Sequence, residues 1–385
     1  MKHFLIFALK SVCYDSYLYF SDALSKALAA AGHSVEIFSA QKEPPEAMER
    51  FAGQTFDAVF DFNSALPRLR MEEGGYFADQ INAPFYNIIL DHPLYHHDSL
   101  KQTLSDYHVL CLDKNHRDYV LSYYPHIASA DIFSVTGEDI LPQDPSYPEK
   151  QIDVLFSGTY TDYREIESSI GSAPSFLGNI TKQLIELMQK NNSLTQEAAL
   201  RFLTPSFEES EIIEETFPLH MQACFLCDSY LRARKREELL LFLAKKNVPL
   251  TLCGNGWRKS PLAHFSNVRI IDDISFWDTF LLFRKSKITL NLLPEFKNGT
   301  HDRIYSSILN HSLCLTDSSP LLESQLKDNR ELIYYDTQNP DRLTGQIFDL
   351  LSSPKRMEEI SQNGYFCAKE SHSWQSRAAY LLTLI

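Results

Sequence analysis

Three consecutive segments near the start of the chain decide the fold class: FLIFAL at residues 4–9, a helix-periodic segment at 17–30, and SVEIF at 34–38. A continuous apolar run such as the first is typical of a strand buried on both faces of a sheet. Gly32 marks the end of the helix that separates the two strands. The order strand, helix, strand predicts a unit of two parallel strands joined by a helix.

The same alternation continues along the first part of the chain. Short apolar runs recur at residues 58–60, 85–90, 109–112 and 132–135, and polar stretches that can form helices separate them. This pattern predicts an α/β domain whose parallel sheet is covered by helices on both faces.

A proline-rich stretch then divides the chain. LPQDPSYP at residues 141–148 is typical of a linker, and a second alternating pattern begins after it at 152–156. We therefore predict two α/β domains with the ligand site in the cleft between them. Their predicted bounds are 1–145 for the N-terminal domain, 146–365 for the C-terminal domain with a helical segment near 165–225, and 366–385 for a closing helix that packs back toward the N-terminal domain.

Acidic residues outnumber basic ones in this chain. Asp and Glu total 50 and Lys and Arg total 36, so the formal net charge is −14. Proteins that bind nucleic acid or anionic membranes need a basic surface that displaces counterions. The composition therefore predicts that nucleic acid is not a partner, and that a local basic site must meet any anionic ligand.

The cysteine pattern and the hydropathy bear on location. The seven cysteines are odd in number and irregularly spaced, which is not typical of a disulfide framework. No segment approaches the roughly 18–20 apolar residues of a membrane span, and the short apolar start has no cleavage-like site. We expect a cytoplasmic protein without a transmembrane segment.

Signals for a bound cofactor are weak. The loop after the first strand, KSVCYD at 10–15, lacks the G-x-G-x-x-G pattern, which argues against a dinucleotide enzyme or a sugar-nucleotide epimerase. His220, Cys224 and Cys227 have the spacing of part of a zinc site, but no second pair of ligands follows at a suitable distance. We expect no cofactor and no metal.

The most informative motif is KNGTHDRIY at residues 297–305, between an apolar run and a short predicted helix. Thr300 is a candidate N-cap, and a helix N-terminus offers N–H groups and a positive dipole end to an anion. His301 and Arg303 add donors suited to a diphosphate. The plain alternative is an ordinary capped helix with solvated charges.

Two glycine-containing loops follow predicted strands, where a doubly wound sheet places its ligands. They contain Ser157, Gly158 and Thr159 in the first loop, and Gly254, Asn255, Gly256 and Trp257 in the second. Glycine allows the backbone to approach a ligand closely, although each loop taken alone is equally a tight turn.

A cationic run opens the predicted helix at 230–245. Arg232 and Arg236 lie four residues apart and share a helix face, so they can present two guanidinium groups to one anion. Alternatively the run is a solvated face in which Glu237 and Glu238 pair with the arginines.

In the first domain, DHPLYHH at 91–97 follows a predicted strand. Asp91 or His92 is the candidate base that removes a proton from an acceptor hydroxyl, because both stand at the carboxyl end of a strand. A packed loop with structural histidines is the alternative.

Several motifs of the C-terminal part resemble bacterial GT-B glycosyltransferases, of the group called CgeB-like or glycosyltransferase family 1-like. The motifs that carry the resemblance are YLRARKR at 230–236, VPLTLCGNGW at 248–257, SKITLN at 286–291, NGTHDR at 298–303, LCLTD at 313–317 and SWQSR at 373–377. The resemblance implies two facing Rossmann-like domains with a deep cleft, a nucleotide-sugar donor in the C-terminal domain and an acceptor in the N-terminal one. It also implies that helix N-termini and basic side chains meet the diphosphate without a metal.

Carried over residue by residue, the resemblance implies that Gly158, Thr159 and residues 254–257 border the donor, and that residues 298–303 hold its diphosphate. Ser306 departs from the pattern, because many relatives have there a glutamate that binds the ribose. Asp302 and Glu323 are the candidate replacements.

Two function classes follow. The first is a metal-independent bacterial transferase that moves a sugar from a nucleotide-diphosphate donor, a UDP-sugar, to a glycan, protein or small-molecule acceptor, with Asp91, His92 and His301 as catalytic residues. The second is a GT-B-like module that binds a glycan or protein without turnover, which Ser306 favours.

Overall fold

The computed structural model describes residues 1–9, 15–72, 74–144, 146–204, 211–272, 274–294 and 296–385, with only the backbone at 211–215. The chain divides into two compact units, Met1–Val135 together with His372–Ile385, and Thr136–Ser371.

The first unit is built around a parallel sheet. Its strands are β1 (His3–Ala8), β2 (Ser34–Ser39), β3 (Ala58–Phe62), β4 (Phe85–Ile89), β5 (Tyr107–Cys111) and β6 (Ser129–Ile132). Its helices in this part of the chain are α1 (Ser16–Ala30), α2 (His97–Leu100) and α3 (Lys114–Tyr123), with 3₁₀ turns at Pro45–Phe51, Leu66–Arg68, Ala78–Gln80 and Pro93–His96. The strand order is β2-β1-β3-β4-β5-β6, and every neighbouring pair is parallel.

The second unit repeats this plan. Its strands are β7 (Ile152–Ser157), β8 (Leu250–Cys253), β9 (Val268–Ile271), β10 (Ser286–Leu290), β11 (Leu313–Thr316) and β12 (Ile333–Tyr334). Its helices are α4 (Tyr163–Ser172), α5 (Ser175–Lys190), α6 (Gln196–Leu203), α7 (Glu211–Ala223), α8 (Phe225–Lys245), α9 (Phe276–Lys285), α10 (Asp302–Leu309), α11 (Pro320–Gln325), α12 (Pro340–Leu351) and α13 (Pro354–Ser371), with 3₁₀ turns at Trp257–Lys259 and Pro261–His264.

The parallel strand order of the second unit is β12-β11-β10-β7-β8-β9. The chain enters in the middle of the sheet at β7, builds one side with β8 and β9, and then returns to build the other side from β10. The strand order therefore reverses between β7 and β10, which is where open α/β sheets form their ligand crevice. The loops after these two strands both carry candidate residues, 157–159 and 298–303.

Buried strands explain why the apolar runs predicted the sheets. All five residues of β3 and of β4 are buried, as expected for strands covered on both faces. In the first unit, Phe7, Phe38 and Phe51 pack ring against ring beside β1. The predicted α/β architecture with two parallel sheets is confirmed.

The last helix, α14 (Trp374–Leu381), belongs to the first unit. The Trp374 indole N–H donates to the Tyr19 hydroxyl on α1 at 2.9 Å, and the ring is 5% exposed. A single closing helix was predicted over 366–385, whereas the structure has α13 ending at Ser371 and α14 beginning anew. Ser373 provides the physical reason, because its side chain accepts from the Ser376 N–H and caps a new helix.

The division between the units also differs from the predicted one at 145/146. Residues from Thr136 onward pack with the second unit. Asn310 holds this segment, since its side-chain amide donates to the Glu138 carbonyl at 2.8 Å and its Oδ1 accepts from the Ile140 N–H at 3.3 Å. The proline-rich stretch therefore begins inside the second unit.

Other differences from the sequence prediction are local. Strand β6 ends at Ile132, where the apolar run at 132–135 was expected to form the strand, and β10 ends at Leu290 rather than 293. The two-residue β12 was not predicted, because two residues carry no periodic signal. Residues 10–14, most of the loop that lacks the glycine fingerprint, lie outside the described residues.

Candidate functional site

Two arginines converge on Gly158, directly after β7. A Cβ atom added to Gly158 would lie 3.8 Å from Arg236 Cζ and 3.8 Å from Arg303 Nη2. Both guanidinium groups also lie near the Phe156 ring, 5.6 Å and 6.0 Å from its centroid. The structure therefore brings together three predicted site residues from three distant parts of the chain.

Side-chain oxygens and backbone carbonyls hold the two arginines in place. Arg303 Nη1 donates to Asn291 Oδ1 at 3.2 Å, and the Asn291 amide donates onward to Thr316 Oγ1 at 2.9 Å. Arg236 Nη1 donates to the carbonyl oxygen of Thr159. Asn291 is fully buried after β10 and was not predicted as a site residue. Its position at the end of an apolar run was the available signal.

The N-terminus of α10 differs from the prediction. The N-cap is His301, whose Nδ1 accepts from the Arg303 N–H at 3.2 Å, and Thr300 is instead buried one residue earlier. The helix begins at Asp302, so the residue before it, His301, is the N-cap, one position later than the predicted cap. The predicted capping role of Thr300 is wrong for this reason.

His301 Nδ1 also lies 2.7 Å from Asp302 Oδ1. When Nδ1 carries a proton, it can donate to this carboxylate. When Nδ1 is unprotonated, it accepts from the Arg303 N–H and caps the helix. Burial acts to raise the pKa of Asp302, but His301 and Arg303 hold it below its usual value. Within the described residues, no hydrogen bond is formed by Nε2 of His301, so this nitrogen is available to a ligand.

The two glycine-containing loops bind each other. The Trp257 indole N–H donates to the Gly158 carbonyl at 2.7 Å, and the Tyr160 N–H donates to the Asn255 carbonyl at 2.9 Å. The Trp257 ring is fully buried, so its role here is to support the loop. Gly256 has φ of 90° and packs so closely that an added Cβ would lie 3.0 Å from the Tyr160 carbonyl oxygen.

The remaining loop residues have structural partners as well. The Gly158 N–H donates to the Cys253 carbonyl at 2.8 Å, and the Gly254 N–H donates to the Ile271 carbonyl at 3.0 Å. Ser157 hydrogen-bonds the Cys253 thiol, whose pKa burial raises to about 11. These N–H groups are therefore used within the protein, and Gly158 contributes space beside the arginines rather than a donor.

The loop before α10 is fixed from the following helix. Ser319, the N-cap of α11, donates from its hydroxyl to the Gly299 carbonyl at 2.5 Å. Asn298 and Gly299 thus stand in an anchored turn between β10 and α10.

Arg232 does not join Arg236 at Gly158. Its Nε lies 2.9 Å from Asp228 Oδ2, one helical turn earlier. The predicted pair of guanidinium groups on one helix face is therefore replaced by a pair from two different helices, α8 and α10. Sequence spacing could not predict this, because Arg303 is distant in sequence from Arg236.

Glu237 is a further residue that was not predicted to act at this site. It is 1% exposed, accepts from the Tyr160 hydroxyl at 2.7 Å, and pairs with Arg164 at 2.6 Å. Because the Tyr160 backbone bonds the second loop, this carboxylate fixes both glycine-containing loops to α8. Glu238, in contrast, pairs with Arg234 on the helix surface at 2.6 Å.

Ser306 fills the position where the resemblance expects glutamate. Its hydroxyl donates to the Asp302 carbonyl at 2.8 Å, and an added Cβ on Gly137 would lie 2.2 Å from Ser306 Oγ. Gly137 thus packs directly against this helix position. Of the candidate replacements, the Asp302 side chain lies at the start of α10, whereas Glu323 is exposed on α11.

In the first unit, Asp91 and His92 follow β4 and have different surroundings. Asn63 Nδ2 donates to Asp91 Oδ2 at 3.2 Å, and within the described residues Asp91 Oδ1 has no hydrogen-bond partner. His92 Nδ1 accepts from the Leu94 N–H at 3.1 Å and caps the turn Pro93–His96. A neutral His92 with this bond carries its proton on Nε2, so Asp91 is better suited to accept a proton.

A buried network lies beneath Asp91. Ser64 donates to Asp61 at 2.5 Å, and Asn87 joins the Ser64 backbone N–H to the Tyr107 hydroxyl at 3.0 Å each. Asn63, with φ of 48°, directly precedes Ser64 and holds the Asp91 loop, since its side chain donates to Asp91 and accepts from the Leu90 N–H at 2.7 Å. The polar residues after the apolar run at 58–60 were the sequence signal for it.

The cysteines considered for zinc are packed among apolar groups. Cys227 Sγ lies 3.8 Å from Met188 Sδ, and burial raises the pKa of both Cys224 and Cys227. Among the described residues, no group of three or more His, Cys, Asp or Glu side chains is arranged to hold a metal ion.

Comparisons with known proteins agree with this architecture. Residues 234–383 match the family model described as glycosyl transferase-like. Among curated protein sequences, none matches the chain. The resemblance to GT-B glycosyltransferases is therefore supported by the segment that contains most of the motifs, and the CgeB-like group within it stays a prediction.

Solved structures with a similar fold cover the whole chain. T4 phage BGT in complex with its UDP-glucose substrate has a TM-score of 0.54 at 10% identity, covering 100% of this chain and 98% of that chain. Sucrose-phosphate synthase from Thermosynechococcus elongatus has a TM-score of 0.54 at 9% identity, with coverage of 100% and 98%. Anabaena HepE in complex with UDP-glucose has a TM-score of 0.51 at 11% identity, with coverage of 100% and 100%. The chain has the GT-B fold.

The helices of the described ranges include none that is both long enough and apolar enough to span a membrane.

Proposed function

We propose that this protein is a glycosyltransferase that moves a sugar from a UDP-sugar to a hydroxyl-bearing glycan, protein or small-molecule acceptor. The observation that supports it best is the convergence of Arg236 and Arg303 on Gly158, at the strand-order reversal of the second sheet. Two guanidinium groups beside an open glycine suit a diphosphate, which guanidinium binds bidentately.

The proposed chemistry follows from charge development. The acceptor oxygen attacks the anomeric carbon, the bond from that carbon to the diphosphate oxygen breaks, and the electron pair leaves with the diphosphate. Preformed donors aimed at this developing charge lower the barrier, because they need no reorganisation during the reaction. In this proposal Arg236, Arg303 and His301 Nε2 supply these donors without a metal ion, and the nucleotide sugar is the only co-substrate.

The acceptor proton needs a base if the reaction inverts the anomeric carbon. Asp91 is proposed for this role, because one of its oxygens is held by Asn63 while the other is available. His92 is proposed as a capping residue of the same loop.

The choice of uridine is supported by the similar structures. T4 phage BGT and Anabaena HepE were both solved with UDP-glucose. A cytoplasmic location is also part of the proposal. The cysteines that the structure describes are free thiols, as is usual in a reducing compartment.

Nucleotide binding tests the proposal directly. Thermal stabilisation of the purified chain would be measured with UDP, GDP, dTDP, CMP and NAD, each with EDTA and then with Mn²⁺. We expect a selective shift with UDP that EDTA does not remove, because ligand binding to the native state raises its stability. The shift should be lost in Arg303→Ala and kept in Arg269→Ala, which removes an exposed arginine on the edge strand β9.

A shift with NAD alone, or a UDP shift that persists in Arg303→Ala, would contradict the proposed site. Release of glucose from UDP-glucose, to water or to a mixture of acceptors, distinguishes an enzyme from a protein that only binds the nucleotide.

A second candidate function is a GT-B-like module that binds a glycan or protein without turnover. The packing of Gly137 against Ser306 favours it, because this arrangement leaves no glutamate at the position where the resemblance expects ribose recognition. Nucleotide binding without any sugar release from UDP-sugars would support the module over the enzyme.

A further inference from the structure

A separate cavity of about 520 Å³ opens in the second unit along one face of α8. Helix α8 forms one wall, and Leu292 and the segment after β12 form others. Leu292 directly follows Asn291, which holds Arg303, so consecutive residues after β10 line the cavity and support the proposed diphosphate site. Its volume falls in the range of roughly 300–1,000 Å³ typical of small-molecule sites.

The lining of this cavity combines amides with an apolar wall. Side chains of Gln189, Asn192, Gln338 and Thr337 contribute hydrogen-bonding groups, while Leu239 and Phe242 are among the apolar ones. Amide side chains both donate and accept, as sugar hydroxyl groups do. Such a mixture of a few polar groups and apolar surface is suited to a sugar ring.

The charged side chains among the described residues that line the cavity are two cations and one carboxylate, Arg234, Lys235 and Glu238. Arg234 Nε lies 2.6 Å from Glu238 Oε1, so these two groups neutralise each other. Lys235 Nζ donates to the neutral Asn192 Oδ1 at 2.7 Å, and an ammonium group has two more N–H donors. Burial, and after it the nearby Lys297, lowers the pKa of Lys235 to about 8, while Asp317 acts in the opposite direction. Lys235 is thus still mainly charged at neutral pH.

We propose that this cavity binds a sugar unit that carries a carboxylate, a hexuronate, with its carboxylate on Lys235 and its hydroxyl groups on the surrounding amides. The inference deepens the proposed function, on which it rests, by naming a substrate class. Among the described residues that line the cavity, a monoanion matches the one cation without a carboxylate partner, whereas the second charge of a phosphate ester would have no further cation, because Arg234 is paired with Glu238.

The hexuronate has two possible sources, the donor sugar or the acceptor, and the test distinguishes them. The first arm compares dissociation constants of UDP-glucuronate and UDP-glucose by calorimetry on the full chain. The second compares methyl glucuronide with methyl glucoside by ligand-observed NMR, with and without saturating UDP. We expect the carboxylate form to bind about tenfold tighter or more in one arm, as for a charge-assisted hydrogen bond in a partly buried site.

Three variants connect this preference to Lys235. Lys235→Gln should abolish the preference for the carboxylate form while UDP alone binds as in the wild type. Lys235→Arg keeps the charge and should keep the preference, while wild-type UDP binding by Lys235→Gln shows that its loss of preference is not a folding defect. Lys182→Gln, at an exposed lysine of α5 outside the cavity, should behave as the wild type.

Equal binding of the carboxylate and neutral forms in both arms would overturn the proposal, as would a preference that survives in Lys235→Gln. Tighter binding of glucose 6-phosphate than of methyl glucuronide would overturn the choice of a monoanion. If the protein binds methyl glucuronide but not UDP, the proposed transferase function is wrong, whereas the assignment of the cavity to a hexuronate is supported.

Discussion

The guanidinium of Arg303 donates to the buried side-chain oxygen of Asn291 at 3.2 Å, and this bond joins the first turn of α10 to the end of β10. We expect Asn291→Ala to weaken UDP binding by about 2- to 10-fold, the effect of losing one orienting hydrogen bond. Calorimetric titration with UDP measures it. The same affinity for UDP in the variant would show that Arg303 is oriented by other contacts.

Gly158 provides the open space between Arg236 and Arg303. A methyl group there would lie 3.4 Å from the Phe156 ring and 3.8 Å from each guanidinium, in the space of an anion between the arginines, and the φ of 156° is one that residues with a side chain rarely adopt. We expect Gly158→Ala to lose the UDP-induced thermal shift. Gly171→Ala is the control, because nothing lies within 4 Å of a Cβ at this helical position, and its UDP shift should be unchanged. Retention of the shift in Gly158→Ala would place the diphosphate elsewhere.

Glu237 fixes the two glycine-containing loops to α8 through the Tyr160 hydroxyl and Arg164. Replacing it with Gln removes a buried charge that faces a partly exposed arginine, so we expect a loss of about 1–3 kcal/mol of unfolding free energy. Urea unfolding provides the measurement. Glu238→Gln, which breaks a surface pair, should stay within about 0.5 kcal/mol of the wild type. Similar losses in both variants would contradict the role of Glu237.

Asp317 provides a pH-dependent prediction. Burial raises its pKa to about 6, partly offset by the Leu293 N–H that donates to it at 2.7 Å, against about 3.9 for an unfolded aspartate. The native state thus binds this proton more tightly, and the associated stability is present below about pH 4 and lost as the pH rises through 6.

We therefore expect Asp317→Asn to be more stable than the wild type at pH 7.5, by about 1–2 kcal/mol, and the difference to shrink toward pH 4.5. Thermal unfolding across this pH range measures the difference. Asp349→Asn, at an exposed position of α12, should show no pH-dependent difference. A variant that loses stability at pH 7.5 would reverse the predicted sign.

Asp91 is expected to act as the base in the reaction. Asp91→Asn should lower turnover by about 10²-fold or more with UDP affinity unchanged, because a positioned base contributes a factor of this size. His92→Asn should keep most of the turnover, since an Asn side chain can also accept from the Leu94 N–H. Initial rates with a UDP-sugar measure both variants. Unchanged turnover in Asp91→Asn would show that the base of the reaction does not lie in this loop.

Individual strands and helices show how much of the fold the sequence predicted. The apolar runs at 4–9 and 85–90 predicted β1 and β4 closely, because strands buried on both faces leave a continuous apolar signature. The two-residue β12 and the start of α14 were missed, since one depends on its neighbouring strand and the other on the capping side chain of Ser373.

The candidate site was predicted in its parts and not in its arrangement. Gly158, Arg236 and Arg303 were each singled out by local pattern, but Arg232 was expected to share an anion with Arg236 and instead pairs with Asp228. Helix spacing identifies which residues share a face, and it does not identify which partner captures a side chain. Asp228 and Arg236 both lie four residues from Arg232, so helix spacing allowed either as its neighbour, and the structure pairs Arg232 with Asp228.

The sequence by itself determined the alternation of strands and helices, the two α/β units and the residue types that suit a diphosphate, because these depend on short-range periodicity and composition. Only the tertiary structure decided which side chains meet. The carboxylates of Glu237 and Asp91 and the amide of Asn291 obtained their roles from partners outside their own segments. Hydrogen bonds between distant residues form where packing brings strands and helices together, and that register is set by the whole fold rather than by any one segment.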